Sequence, residues 1–207
     1  MYVVAHVAVS IDGATTGFNP DMRRFYELAS TYREDVTLVG ADTILAQEEA
    51  LATAPQPGPA PSGPLLAVVD GRGRVSQWEP LRNAGHWSDV LALHTETTPP
   101  RPRDRSVREL VTGQEHVDLA DAINTLGRVH GAQVIRVDSG GALIGALLKG
   151  RLLDEVSLLV HPCLAGAHAR RFWYGREPAS VADLELLTSE SFDGGLVRLR
   201  YRISPEK

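Results

Sequence analysis

The chain has 207 residues, of which 43% are hydrophobic and 23% charged, and its formal net charge is −5. These values are typical of a globular protein with one domain of ordinary size, and the acidic balance argues against a general nucleic-acid binder. Cys163 is the single cysteine, which excludes an intramolecular disulfide and a cysteine-rich zinc site, and no apolar run is long enough to span a membrane. We therefore expect a cytoplasmic protein that binds neither nucleic acid nor membrane.

The N-terminal half of the chain predicts alternating strands and helices. Valine-rich runs favour strands, and segments of helix-favouring composition that follow a proline or a glycine favour helices. We expect a strand, a helix, a strand, a helix and two further strands, in this order, at Tyr2–Ile11, Asp21–Glu34, Val36–Val39, Ala41–Glu49, Leu65–Val69 and Val90–Leu93. Two proline-dense stretches, Pro55–Pro64 and Pro99–Pro102, predict loops, because proline lacks the amide donor that helices and central strands need.

The C-terminal half continues the alternation and ends in a hairpin. We expect a helix, a strand, a helix, a strand and two hairpin strands at Asp118–His130, Gln133–Val137, Gly141–Lys149, Val156–Val160, Leu184–Ser191 and Leu196–Ile203. The hairpin strands flank Asp193-Gly194-Gly195, a strong turn signal. The pattern predicts an α/β fold in which residues 1–207 form one domain, with a mainly parallel central sheet, helices on both faces and a C-terminal antiparallel hairpin.

Three loops with small or polar residues lie at the carboxyl ends of predicted strands, where ligands of such sheets bind. They are Ser10–Gly13, Gly40–Thr43 and Asp138–Gly141. Glycines let backbone amides approach a phosphate, and the start of a helix supplies positive potential. Each loop by itself is more typical of a plain structural turn, so the prediction of a nucleotide site rests on all three lying at one end of the predicted sheet.

Several polar residues near these loops have two interpretations each. His6 lies on the face of the first strand that carries Ser10, and is either a hydrogen-bonded core histidine or a donor and proton source in a substrate pocket. Asp138 either caps a helix or accepts a hydrogen bond from a substrate ring, and Ser139 and Thr43 are either caps or cofactor contacts. The spacing of the histidines around Cys163 (His161 and His168) fits no standard ligand pattern, so we expect no metal site.

The order and content of the loops resemble the reductase domain of riboflavin biosynthesis, a family with a dihydrofolate-reductase-like fold. The matching segments are Ser10–Gly13, Asp35–Thr43, Leu66–Asp70, Val137–Gly145 and Leu152–Val156. The resemblance implies an NADPH-dependent enzyme, usually a homodimer, that transfers hydride to a small heterocyclic, carbonyl or imine substrate. Reduction of 5-amino-6-(5-phosphoribosylamino)uracil is the reaction of that family; a reductase of a pterin-like ring and a nucleotide-binding paralogue without turnover are the alternatives.

The resemblance also implies which residues form the site. The pyrophosphate of the cofactor would be held by the glycine loop and the start of the next helix, which are Ser139, Gly140, Gly141, Ala142 and Leu143. Gly40 and Thr43 would contact the dinucleotide from the second loop, and Asp12 and Gly13 would shape the turn beneath the nicotinamide. His6 and Asp138 are the catalytic candidates.

The chain departs from the family pattern mainly on the substrate side. His6 replaces a lysine, and Asp138 replaces a glutamate. Thr31 and Ala54 stand where two arginines commonly help to hold the substrate. Because charge-assisted bonds to phosphate are strong, their loss predicts that the preferred substrate is not the phosphorylated compound. Arg72 and Arg74 are either solvated or contact the 2′-phosphate of NADP.

Overall fold

The computed structural model describes residues 1–100, 107–166, 171–175 and 183–204. Its elements, in chain order, are β1 (Tyr2–Ser10), α1 (Met22–Ala29), β2 (Val36–Gly40), α2 (Ala41–Leu45), α3 (Glu48–Thr53), β3 (Leu65–Val69), α4 (Trp78–Asn83), β4 (Asp89–His94), β5 (Arg108–Val111), α5 (Leu119–His130), β6 (Val134–Val137), α6 (Gly141–Lys149), β7 (Glu155–His161), β8 (Leu184–Ser191) and β9 (Val197–Ile203). The nine strands among these residues form one sheet in the order β5-β4-β3-β2-β6-β1-β7-β9-β8. The predicted α/β class is confirmed.

The chain divides into two compact units. The first unit comprises Met1 and Glu34–Ile135, and the second unit comprises Tyr2–Arg33 and Arg136–Lys207. The expectation of a single domain over 1–207 stays a prediction. No helix of the described residues is long and apolar enough to cross a membrane.

The first unit contains four parallel strands, β2 to β5, paired in sequence order. Its core lies between these strands and short helices, and includes Val39, Ile44, Leu66, Val68, Trp78, Leu81 and Val90. Burial of these apolar side chains is the main driving force for the unit, at about 25 cal/mol per Å² of apolar surface removed from water. Strand β5 and helix α4 were not predicted from the sequence.

The second unit combines a parallel pair with the C-terminal hairpin. Strand β1 pairs in parallel with β7, which places His6 opposite Ser157 and Ser10 opposite His161. Strand β9 is antiparallel to both β7 and β8, so the predicted hairpin is confirmed. The buried side chains of α1, which include Phe25 and Leu28, pack with Leu159 of β7 and with Leu196.

The predicted helix at Asp21–Glu34 is wrong at its C-terminal end. Helix α1 stops at Ala29, and a single 3₁₀ turn at Ser30–Tyr32 follows before Arg33 adopts a left-handed conformation with φ of 49°. The hydroxyls of Ser30 and Thr31 donate to the carbonyls of Glu27 and Leu28 at 2.8 and 2.6 Å. Such local side-chain bonds compete with the backbone ladder and favour the end of a helix.

The predicted helix at Ala41–Glu49 is likewise wrong in extent, because two short helices take its place. The amide of Gln47 donates to the carbonyl of Ile44 at 2.9 Å, which closes α2 with a tight turn. Gln47 then leaves the helical region with φ of −116° and ψ of 0°, and α3 begins after it.

Candidate active site

The turn that leaves β1 is built by Ser10 and Gly13. The amide of Gly13 donates to the carbonyl of Ser10 at 2.9 Å, and the amide of Ser10 donates to the carbonyl of Ala14 at 3.0 Å. The Ser10 hydroxyl oxygen also accepts from the Ala14 amide at 3.0 Å. Gly13 has φ of +79°, a conformation that side chains disfavour, so the glycine is a requirement of the turn.

Asp12 is exposed and connects this turn to the loop after β7. Its Oδ1 accepts from the amide of Ala165 at 3.1 Å, and the neighbouring Ile11 amide donates to the carbonyl of Cys163 at 2.9 Å. Hydrogen bonds from the Ser10 side chain and from the Ala165 amide lower the pKa of Asp12. The carboxylate thereby joins the β1 turn to the loop after β7.

The glycine pair before α6 serves two different purposes. Gly140 is the N-cap of α6 and, being a glycine, forms no side-chain cap hydrogen bond. A Cβ placed on Gly140 would meet no described atom within 4 Å, so this position faces open space. The first amides of a helix have no intrahelical partner, so the start of a helix suits an anion.

Gly141 is required by packing inside the protein. A Cβ on it would lie 1.9 Å from the carbonyl oxygen of Phe172 and 2.6 Å from the amide nitrogen of Gly175. Backbone atoms cannot move aside as a flexible side chain can. The resemblance implies that Gly141 contacts the cofactor, which stays a prediction, and its Cα lies against a neighbouring segment of the second unit.

That neighbouring segment, Arg171–Gly175, is a part of the site that sequence reasoning missed. We call it the aromatic segment, because it contains Phe172, Trp173 and Tyr174. The amide of Trp173 donates to the carbonyl of Gly13 at 3.2 Å, and the amide of Thr15 donates to the carbonyl of Arg171 at 2.8 Å. The aromatic segment therefore contacts both the β1 turn and the start of α6. The only signal in the sequence is the run of three aromatic residues before a glycine.

Asp138 does not cap α6, since Gly140 occupies that position. Its Oδ2 accepts from Nη1 of Arg136 at 3.0 Å, and the two side chains are 26% and 7% exposed. Burial, followed by the charge of Asp138, raises the pKa of Tyr26 of α1. The N-cap interpretation of Asp138 is therefore wrong, and its role as an acceptor for the substrate stays a prediction.

His6 is 1% exposed and fully hydrogen-bonded. Its Nε2 lies 3.2 Å from the carbonyl of Phe25, which can only accept, so this nitrogen carries the proton. Nδ1 then accepts from the hydroxyl of Ser157 at 2.9 Å, and the Ser157 oxygen accepts from Nε of Arg198 at 3.2 Å.

The electrostatic surroundings keep His6 neutral. Burial, followed by the charges of Arg198 and Arg136, lowers the pKa of His6 to about 3. A group with this pKa is a poor proton source at neutral pH. The geometry favours the core-histidine interpretation, in which His6 attaches α1 to β1 through the carbonyl of Phe25.

A second buried network surrounds Glu155. Glu155 is 0% exposed, and Arg200 donates to both of its oxygens at 2.7 Å. Tyr32 donates to it at 2.8 Å, and the Tyr2 hydroxyl donates to its other oxygen. Burial alone would raise the pKa of Glu155, but the hydrogen bonds from Arg200, Tyr2 and Tyr32 lower it.

His161 has a structural environment. Its Nδ1 bonds the carbonyl of Leu159 at 3.1 Å, and its Nε2 accepts from the amide of Asp21, the N-cap of α1, at 2.9 Å. Within the described ranges, no group of histidine, cysteine and acidic residues could hold a metal ion. His168 lies outside the described residues.

The first unit carries the second predicted loop, Gly40–Thr43. Gly40 ends β2 in an extended conformation, and Thr43 lies half-buried in the first turn of α2. The exposed Asp42 pairs with Nη2 of Arg74 at 2.7 Å. Asp70 fixes the loop after β3 by accepting from the amides of Arg74 and Val75 at 3.0 and 2.8 Å. Arg74 is thus held beside Gly40–Thr43, and Arg72 is exposed.

Comparisons with known proteins agree over nearly the whole chain. The family model described as the RibD C-terminal domain matches residues 1–198. A curated relative from Methanothermobacter thermautotrophicus, named 2,5-diamino-6-ribosylamino-4(3H)-pyrimidinone 5′-phosphate reductase, is 29% identical over 213 residues that cover 95% of each chain.

Solved structures support the same fold. A pyrimidine reductase-like protein from Corynebacterium diphtheriae has a TM-score of 0.76 and 15% identity, covering 99% of this chain and 92% of that one. The riboflavin biosynthesis reductase of Saccharomyces cerevisiae has a TM-score of 0.70 and 16% identity, with coverages of 98% and 90%. At these identities the structural similarity supports a shared fold and nothing more.

Proposed function

Because the chain belongs to the RibD C-terminal domain family, we propose that it is an NADPH-dependent reductase that converts the ribose of a ribosylaminopyrimidine into a ribityl chain. The predicted family is confirmed, and with it the oxidoreductase class. The observation that carries the finer proposal is the loop Asp138–Gly141, which combines a glycine N-cap that faces open space with a carboxylate held by a buried arginine. The substrate class comes from the relative that is 29% identical over 95% of the chain.

The residues present fit a dinucleotide. In this proposal the backbone of Ser139 to Leu143 holds the pyrophosphate, because the space at Gly140 lets an anion approach the first amides of α6. Gly13 and Asp12 shape the turn next to the nicotinamide. For Gly40 and Thr43, a contact with the dinucleotide stays a prediction of the family resemblance. Bound NADPH supplies the hydride, and the protein supplies orientation and exclusion of water.

On the substrate side, Asp138 is the acceptor for amino and ring N–H groups, which an aminopyrimidine offers. Arg136 fixes the orientation of this carboxylate through the bond to Oδ2. A neutral His6 holds α1 in place and leaves the proton that completes the reduction to come from water. The reaction thereby adds one hydride and one proton to the sugar.

Thr31 and Ala54, which stand where two phosphate-binding arginines are expected, carry no charge, and two arginines of α1 pair with a carboxylate of the same helix. Thr31 donates to the carbonyl of Leu28, and Ala54 is apolar. Arg23 and Arg24 of α1 both pair with Glu27, at 3.5 and 2.9 Å. These contacts support the prediction that the preferred substrate is not the phosphorylated compound.

The test is steady-state turnover with NADPH and two substrates, the ribosylaminopyrimidine 5′-phosphate and its dephosphorylated form. We expect reduction of both, with kcat/KM for the dephosphorylated form equal or higher. A clear penalty on removing the phosphate would contradict the phosphate prediction while leaving the reductase proposal intact. Failure to reduce either compound would contradict the reductase proposal itself.

A further inference from the structure

The aromatic segment, Arg171–Gly175, is fixed against the turn that leaves β1. Phe172 forms an isolated antiparallel bridge with Ala14. On either side of that bridge, the Trp173 amide donates to Gly13 and the Thr15 amide donates to Arg171, at 3.2 and 2.8 Å. This pairing fixes the backbone from which the three aromatic side chains extend.

Glycines on α6 let the aromatic segment approach this helix, whose first turn forms the proposed pyrophosphate site. Besides the clash at Gly141, a Cβ on Gly145 would lie 2.6 Å from the carbonyl oxygen of Tyr174. Gly175 has φ of +96°, and its amide donates to the carbonyl of Phe172 at 3.1 Å, which turns the chain sharply at this point. The backbone of the aromatic segment is thus in van der Waals contact with the first turns of α6.

The three rings are not equivalent. Phe172 and Tyr174 stack on each other, with centroids 5.5 Å apart and planes 6° apart. The indole of Trp173 stands at 90° to the Tyr174 ring, and its Cδ1 lies 3.8 Å from the position that a Cβ on Gly13 would occupy. Trp173 is partly exposed. The Phe172 ring also approaches the Gly13 turn, with its Cδ1 3.9 Å from the same position, and the indole lies beside it with part of its surface open.

From this placement we infer that Trp173 is a cofactor-binding residue whose indole contacts the nicotinamide end of the bound dinucleotide. The inference rests on the proposed function, which places the nicotinamide beside Asp12 and Gly13. Planar rings associate with aromatic side chains in stacked or edge-to-face geometry, and the open part of the indole offers such a surface. The aromatic segment has a second consequence: it holds the start of α6 and the β1 turn in one fixed arrangement.

NADPH titration followed by tryptophan fluorescence tests the inference. The variants are Trp173→Ala and Trp173→Phe, and the matched control is Trp87→Phe, a tryptophan of the first unit with its ring against His86. We expect the Kd for NADPH to rise about three- to tenfold in Trp173→Ala and less in Trp173→Phe, and to stay unchanged in Trp87→Phe. Energy transfer from tryptophan to bound NADPH should fall more in Trp173→Phe than in the control.

Circular dichroism and thermal unfolding show whether each variant is folded. If Trp173→Ala does not fold, the Kd and the energy transfer measured for Trp173→Phe decide whether the inference holds. Unchanged NADPH affinity in folded Trp173→Ala, or equal loss of energy transfer in Trp173→Phe and Trp87→Phe, would overturn the inference while the proposed function stands. An unaltered protein that binds no NADPH would overturn both.

Discussion

Exchanging the two neighbouring glycines one at a time separates cofactor binding from folding. In Gly140→Val the backbone, at φ of −80° and ψ of 178°, is one that valine adopts, and the new Cβ meets no described atom within 4 Å. We expect this variant to fold, with a loss of about 1 kcal/mol or less from the poorer N-cap. Its branched side chain would fill the space beside the first amides of α6, so NADPH affinity should fall at least about tenfold, or about 1.4 kcal/mol.

Gly141→Ala should behave in the opposite way. Its Cβ would lie 1.9 Å from the Phe172 carbonyl oxygen and 2.6 Å from the Gly175 amide nitrogen, and both contacts are with backbone. The cost of such overpacking should reach about 3 kcal/mol or more in unfolding free energy. The assay is a pair of measurements on each variant: urea unfolding and NADPH titration. Unchanged NADPH binding in folded Gly140→Val, or wild-type stability in Gly141→Ala, would refute the reasoning.

Three further predictions concern the buried polar groups of the second unit. The pKa of His6 in the folded protein, about 3, is below its ordinary value of 6.5. The neutral form of His6 therefore contributes stability that is lost as the pH falls below about 6.5. In urea unfolding, His6→Gln should flatten this pH dependence. Glu155→Gln leaves Arg200 without its charge partner and should lower the free energy of unfolding by about 3 kcal/mol. Because the pKa of Glu155 is lowered, the difference in stability between the wild type and this variant should be present near pH 7 and vanish in acid. Arg136→Met should raise KM for the pyrimidine about tenfold with unchanged Kd for NADPH, since the carboxylate of Asp138 loses the cation that orients it. Arg136→Lys should restore part of the affinity, and equal KM values in all three proteins would show that the ion pair is merely structural.

Much of the fold follows from local sequence signals. The bounds of α6 and of β8 agree with the prediction, because glycine turns mark both ends of the helix and the hairpin turn marks the strand. Helix α4 was missed because it has six residues with a proline at the third, which the first turn of a helix tolerates. Strand β5 was missed because its side chains are largely exposed and carry no apolar alternation.

The site could be predicted only where its residues are close together in the sequence. The glycine loop and the β1 turn are local motifs, and both directly follow the strands that the sequence predicts before them. Their role in binding a cofactor stays a prediction. The contact of Gly141 with Phe172 and the pairing of Glu155 with Arg200 each join residues far apart in the chain. Their partners depend on tertiary packing and strand register, which single-sequence periodicity does not specify. His6 shows the same limit, because its face on β1 was predictable but its partners were not.

Transfer of a labelled hydride tests the central claim most directly. The protein would be incubated with the ribosylaminopyrimidine and NADPH carrying deuterium at C4 of the nicotinamide, in separate reactions for the two C4 epimers, and the product mass measured. We predict a ribityl product that contains one deuterium from one epimer and none from the other. Tight NADPH binding with no deuterated product from either epimer would contradict the proposed reaction and indicate a nucleotide-binding protein without turnover.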